Sequence, residues 1–142
     1  MVPATQFTVQ DASLRAGQEW LFEGRPGDPQ PILVIVRIDW QPKVGKVVPV
    51  SIRGVPIRNR RAPGGFSASV SHMPFSSSAL ERSTVKLLHH SVILPSYEEG
   101  YQQWKDSHRG VFAITAREAL DFVERALQAA SLLLFSRGLQ AG

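Results

Sequence analysis

Ile32-Leu33-Val34-Ile35-Val36-Arg37-Ile38-Asp39-Trp40 is the stretch that decides the fold. It is apolar and rich in β-branched residues, with polar side chains only at Arg37 and Asp39, near its end. Such a run is a strand, and its lack of alternation places it centrally in a sheet, buried on both faces. Gln41-Pro42-Lys43-Val44-Gly45 is a connection of hairpin length. Lys46-Val47-Val48-Pro49-Val50-Ser51-Ile52-Arg53 then returns as an antiparallel neighbour. Pro49 cannot donate to a ladder, so this second strand lies at an edge or is bulged there.

Working outward, Gln18 to Glu23 reads as a short first strand, and Gly24 to Pro31, with two Gly and three Pro, as a turn or loop. Residues 1–17 show no sustained period and are expected to be loosely ordered. Phe66 to Val70 is a third strand, continued by Ser71-His72-Met73-Pro74-Phe75. Ser78-Ala79-Leu80-Glu81 has capping-box spacing, and Leu80, Thr84, Leu87 and Leu88 extend a helical stripe to about His89. A second helix is expected from Ser96 to His108, with Tyr97, Tyr101 and Trp104 on one face. Val111 to Ile114 reads as a short strand. Thr115-Ala116-Arg117-Glu118 is a second capping box, opening a last helix that stops near Gly138.

Strands come first and helices later, so the class is α+β rather than alternating βαβ. The expected architecture is a curved antiparallel sheet of about four to five strands, open or half-barrel, with two to three helices packed on one side. One domain over residues 1–142 suits this length, mainly β over 18–75 and mainly α, with one strand, over 76–138.

The apolar content of 43% suffices for one core. Cysteine is absent, which excludes disulfides and thiolate metal sites and suits a reducing compartment. Met1-Val-Pro-Ala-Thr-Gln-Phe7 has neither a basic nor an apolar segment of the signal-peptide kind, and no apolar run approaches the length of a bilayer span. A cytosolic protein without membrane partners is the expectation.

Charge is unevenly distributed. From Trp40 to Leu80 there is no Asp or Glu, yet Lys43, Lys46, Arg53, Arg58, Arg60 and Arg61 all fall there, and the net charge of +4 comes from this segment. Four of these arginines lie within Arg53 to Arg61, just before Ala62-Pro63-Gly64-Gly65. Guanidinium forks suit carboxylate or phosphate, so a protein with an acidic face and a nucleic acid are both candidate partners. A solvated hairpin tip that keeps a sheet edge from self-association is the plainer alternative. Phe66 is the one aromatic beside the loop, whereas single-strand binders interleave several.

Other candidates are weaker. His72, His89, His90 and His108 have no His-x-x-x-His spacing, so neither a metal nor another cofactor is indicated. Asp39 ends the most apolar strand, as catalytic carboxylates do, but Asp39-Trp40-Gln41-Pro42 is also a turn entry. A hydrolase or metal enzyme would need Asp39 and His72 to meet in a pocket. Glu98 and Glu99 suit the first turn of a helix. No serine sits in Gly-x-Ser-x-Gly, and Gly64-Gly65 belongs to no phosphate-binding loop. Tyr97, Tyr101 and Trp104 serve either core packing or a ligand groove. Leu132-Leu133-Leu134-Phe135 is apolar all round, so it is either wrapped by the domain or forms a homodimer contact.

Three segments carry a resemblance: Ser71-His72-Met73-Pro74-Phe75-Ser76 leading to Ala79-Leu80, Glu98-Glu99-Gly100-Tyr101 with Trp104, and Gly110-Val111-Phe112-Ala113-Ile114. With Val36-Arg37-Ile38-Asp39 and Val47 to Ile52 in the same order, they resemble small single-domain bacterial proteins of uncharacterised function over roughly residues 18–125. The chain departs from that pattern in having Arg109-Gly110 where two glycines are expected. In size and layout such proteins are similar to immunity proteins, which neutralise toxins of bacterial competition. The resemblance assigns no catalytic residue. It suggests a non-enzymatic binding protein, and the charge pattern makes Arg53, Arg58, Arg60 and Arg61, together with His72, the expected contact surface.

Overall fold

The computed structural model describes residues 14–107 and 110–141, with side chains as far as Ala129. The fold is α+β. Its elements are β1 (Glu19–Phe22), β2 (Ile32–Ile35), β3 (Asp39–Gln41), β4 (Gly45–Arg58), β5 (Phe66–Ser76), α1 (Ser77–Ser83), β6 (Thr84–His89), α2 (Glu98–Asp106) and α3 (Ala116–Ala141). All strands join one antiparallel sheet. β5 lies on one side of β4, β2 and β3 follow one another along the other, and β1 and β6 continue beyond β2. The sheet is open. Register shifts in the β1–β6 and β4–β5 pairs bend and twist it, which gives its curvature.

The opening stretch is the centre of this sheet. Leu33 and Ile35 join the core cluster with Val48, Val50 and Ile52. Val34, Val36 and Val47, on the opposite side of the pleat, are buried as well. Pro49 occupies the second of its two expected places. β2 pairs up to Ile35↔Val50 and β3 resumes at Asp39↔Val47, so three residues face two across a bulge. Val36 N donates to Pro49 O at 3.0 Å, and the missing proline N–H falls where the ladder is interrupted.

The expected helix from Ser78 to His89 is corrected. The cap is Ser76, whose Oγ accepts from Ala79 N at 3.2 Å, and α1 ends at Ser83. From Thr84 the chain is β6, with Trp20 opposite Leu87 and Phe22 opposite Thr84. The Leu80–Leu87 spacing suited a helix, but β-branched Thr84-Val85 and the open edge of β1 favour a strand, and Leu87 still reaches the core. Val111 to Ile114 is not a strand either. It contributes one isolated bridge, Phe112 beside Phe75.

α1 and α3 cover the core face. Leu80, Ala116, Ala119 and Leu120 pack with Met73 and Phe75. Ser83 Oγ ties the two helices, donating to Ala79 O at 2.8 Å and accepting from Ala116 N at 2.9 Å. The Thr115–Glu118 capping box forms as expected, with Thr115 N donating to Glu118 Oε1 at 3.1 Å and Glu118 N to Thr115 Oγ1 at 3.4 Å. α2 lies against β5 beside Ser71 and His72, where a Cβ on Gly100 would stand 3.0 Å from that of His72. Leu14 is buried in the core cluster and Lys46 Nζ donates to its carbonyl at 3.1 Å. The side chains of Leu132 to Phe135, the expected homodimer contact, lie outside the described residues, as do residues 1–13, His108 and Arg109.

Candidate functional site

The basic segment is shorter as a loop than its sequence implied. β4 and β5 pair as far as Arg58↔Phe66, leaving residues 59–65 as the connection. Asn59 organises it. Its N donates to Gly65 O at 2.9 Å, its carbonyl accepts from Ala62 N at 3.0 Å, its Oδ1 accepts from Arg61 N at 3.1 Å, and its Nδ2 donates to Ser67 Oγ at 3.0 Å. Gly64 and Gly65, at φ 74° and 82°, supply the left-handed turn that closes it.

The tip is held from beneath by carboxylates that are already committed. Glu124 of α3 accepts from the backbone N of Arg58 at 2.6 Å and from Arg25 Nη1 at 3.4 Å. Arg25 also pairs with Asp28 at 3.0 Å, approaches Asp121 at 3.7 Å and donates to Pro56 O at 2.8 Å. These partners raise the Arg25 pKa, with the Asp28 bond as the largest cause. The Arg58, Arg60 and Arg61 side chains are exposed and form no ion pair among the described residues. Phe66, directly opposite Arg58, is 52% exposed. Three uncompensated guanidiniums beside one apolar ring therefore project from an ordered hairpin.

The other two expected contact residues lie elsewhere. Arg53 is inside β4, and its Nη2 meets Glu19 Oε2 at 2.5 Å. His72 is six residues along β5 from Phe66, about 20 Å away at strand rise, and packs between Tyr101 and Trp104 with ring centroids at 5.7 and 5.5 Å.

Around His72 lies an aromatic and charged cluster that the sequence left as two alternatives. Tyr97, Tyr101 and Trp104 do share one face of α2, Tyr101 standing 6.1 Å from Tyr97 and 5.7 Å from Trp104. Tyr101 Oη donates to Asp39 Oδ2 at 2.8 Å, Arg37 Nε to Asp39 Oδ1 at 3.3 Å, and the Arg37 guanidinium stacks 4.4 Å from the Tyr101 ring centre. Burial raises the Tyr101 hydroxyl pKa, and the bond to Asp39 adds to the shift. A polar cleft of about 240 Å³ opens here between β3 and α2, flanked by Trp40 and Lys105. His72 and Asp39 thus share Tyr101 as a neighbour but not a hydrogen bond. Burial pushes the His72 pKa down to about 4, and its Nε2 is enclosed without a partner among the described residues. The Arg37–Asp39–Tyr101 groups satisfy one another, so the arrangement clamps α2 to the sheet.

Glu98 and Glu99 occupy the first turn of α2, and His89 is bound to Glu19. Among the described residues no three His, Asp or Glu converge as a metal site, and no helix is long and apolar enough to cross a membrane. The class defined here is an α+β domain with an open antiparallel sheet and a basic hairpin tip. No family model, curated protein or solved structure matches the chain.

Proposed function

We propose that this chain is a non-enzymatic protein-binding module of the bacterial cytosol. Its contact surface is the β4–β5 tip, Arg58, Arg60 and Arg61 with Phe66, and its partner presents an acidic face. The observation that carries this reading is the set of three exposed arginines, without an ion pair among the described residues, on a hairpin whose backbone is fixed by Asn59 and Glu124. A preorganised tip loses little conformational freedom on binding, and arginine forks meeting carboxylates around one apolar anchor suit occlusion of a partner. An immunity-type inhibitor is the form of such a module that the sequence resemblance suggests. Arg53 bonds Glu19 and His72 lies about 20 Å along β5, so the proposed tip surface is drawn without them.

The test is affinity capture from native lysate with and without the Arg58/Arg60/Arg61 triple alanine change, in the presence of nuclease. One protein recovered by the native chain and lost by the variant supports the proposal. Nuclease-sensitive recovery, or binding of short RNA or DNA that falls steeply with salt, would instead assign the same arginines to phosphate.

A further inference from the structure

The outer edge of β5 is open from Phe66 to Val70 among the described residues, and beyond it α2 lies beside Ser71 and His72. β5 pairs β4 on its inner side. Its outward bonds lie at the far end, where Phe112 N donates to Pro74 O and Ser76 N to Phe112 O, each at 2.9 Å. The direction of the free groups follows from β4. Pro49 O accepts from Val36 N, so Pro49 faces β2, and alternation makes Arg53 face the same way. Ser69, the register partner of Arg53, therefore turns its N–H and C=O away from β4, toward the open edge.

Proteins guard such edges with charge, proline, bulges or a covering element. Both outer strands pair inward through two register shifts, but the opposite one, β6, also carries the charge of Lys86. Phe66 to Val70 has neither Lys, Arg, Asp, Glu nor Pro, and Ser67, Ala68 and Ser69 are too small to keep a neighbouring strand away. One end of this unguarded edge is the arginine tip.

Resting on the reading of that tip as a partner surface, we propose that the outer edge of β5 is the docking line for an extended acidic segment. The segment adds as a further strand beside Phe66–Val70, with carboxylates against Arg58, Arg60 and Arg61. Main-chain hydrogen bonds supply affinity in strand addition, and the charges select the occupant and its direction. A second copy of β5 fits less well, because Phe66–Val70 contains no carboxylate and leaves the arginines uncompensated.

The experiment uses the full chain and an end-capped ten-residue probe of alternating glutamate and valine, whose pleat gathers its carboxylates on one face. Amide exchange is read by NMR. At saturating probe, exchange at Ser69 should slow by about tenfold or more, and Ser69→Pro should weaken binding by about tenfold. An unprotected Ser69 amide at saturation overturns strand docking. If the arginine triple variant still loses the probe in that case, the tip remains a binding surface without strand addition. If it does not, both readings fail. No binding of the probe overturns the docking line, and so does concentration-dependent protection of Ser69 without probe, which would make a second copy the occupant. Exchange in the native chain decides the matter even if Ser69→Pro does not fold.

Discussion

Arg53 of β4 reaches across β2 to the Glu19 carboxylate of β1, with Nη2 2.5 Å from Oε2. The other carboxylate oxygen is 2.7 Å from His89 Nδ1 of β6. A carboxylate only accepts, so Nδ1 carries the hydrogen. A row of three polar side chains thus crosses four strands, with Glu19 only 9% exposed at its centre.

Arg53→Ala should destabilise the fold by about 2 kcal/mol, because it leaves a largely buried carboxylate with His89 alone. The Arg53 bond is the largest of the causes that hold the Glu19 pKa below the ordinary carboxylate value. A lowered folded pKa gives stability that is present above the unfolded value and lost as pH falls through the folded one. The native chain should therefore weaken in acid below the ordinary carboxylate range, and the variant should lose part of that acid sensitivity. Urea unfolding at several pH values checks both.

His72 gives a second, separable pH dependence. Its folded pKa of about 4 is below the usual 6.5, because burial disfavours the charged ring. The unfolded chain binds the proton first on acidification. Stability is thus full above pH 6.5 and falls as pH drops toward 4, by about 1–2 kcal/mol after allowance for the ring's partial exposure. His72→Phe should remove this slope and leave stability at neutral pH unchanged or higher, since it also removes an unpartnered buried nitrogen. An unchanged slope between pH 4 and 6.5 would contradict the assignment.

Gly54 should tolerate no side chain. Its φ is +76°, and an added Cβ would stand 1.8 Å from Gln30 O. Gly54→Ala should cost on the order of 2–4 kcal/mol, read as a lower urea midpoint. Gly64→Ala adds no such contact and should cost less.

Tyr101→Phe removes the hydrogen bond to Asp39 while keeping the ring under Arg37. A loss of about 1 kcal/mol is expected. Faster amide exchange confined to α2 would show that the bond clamps this helix.

Where local composition and tertiary need agreed, the sequence was legible. Ile32 to Arg53 formed the central pairing because apolar β-branched content, turn and return strand all pointed one way. The α2 aromatic face and the Thr115–Glu118 cap followed from spacing alone. The Thr84–His89 strand was hidden because Leu80, Leu87 and Leu88 also fit a helix, and only the unpaired edge of β1 decides between them. Arg53 read as part of a cationic loop because its counter-charge, Glu19, is thirty-four positions away. The Arg37–Asp39–Tyr101 clamp was equally invisible, since it joins Asp39 to a residue sixty-two positions on. Tip and edge differ in the same way: four clustered arginines stand out in a sequence, whereas the open side of β5 exists only once β4 has taken the other.

The most direct test of the central claim compares partner capture by the native chain and by the Arg58/Arg60/Arg61 triple alanine variant, both shown to unfold at the same urea concentration and both treated with nuclease. The account predicts one protein partner held by the native chain through an acidic surface and lost from the variant. Equal capture of that partner by both forms would contradict it.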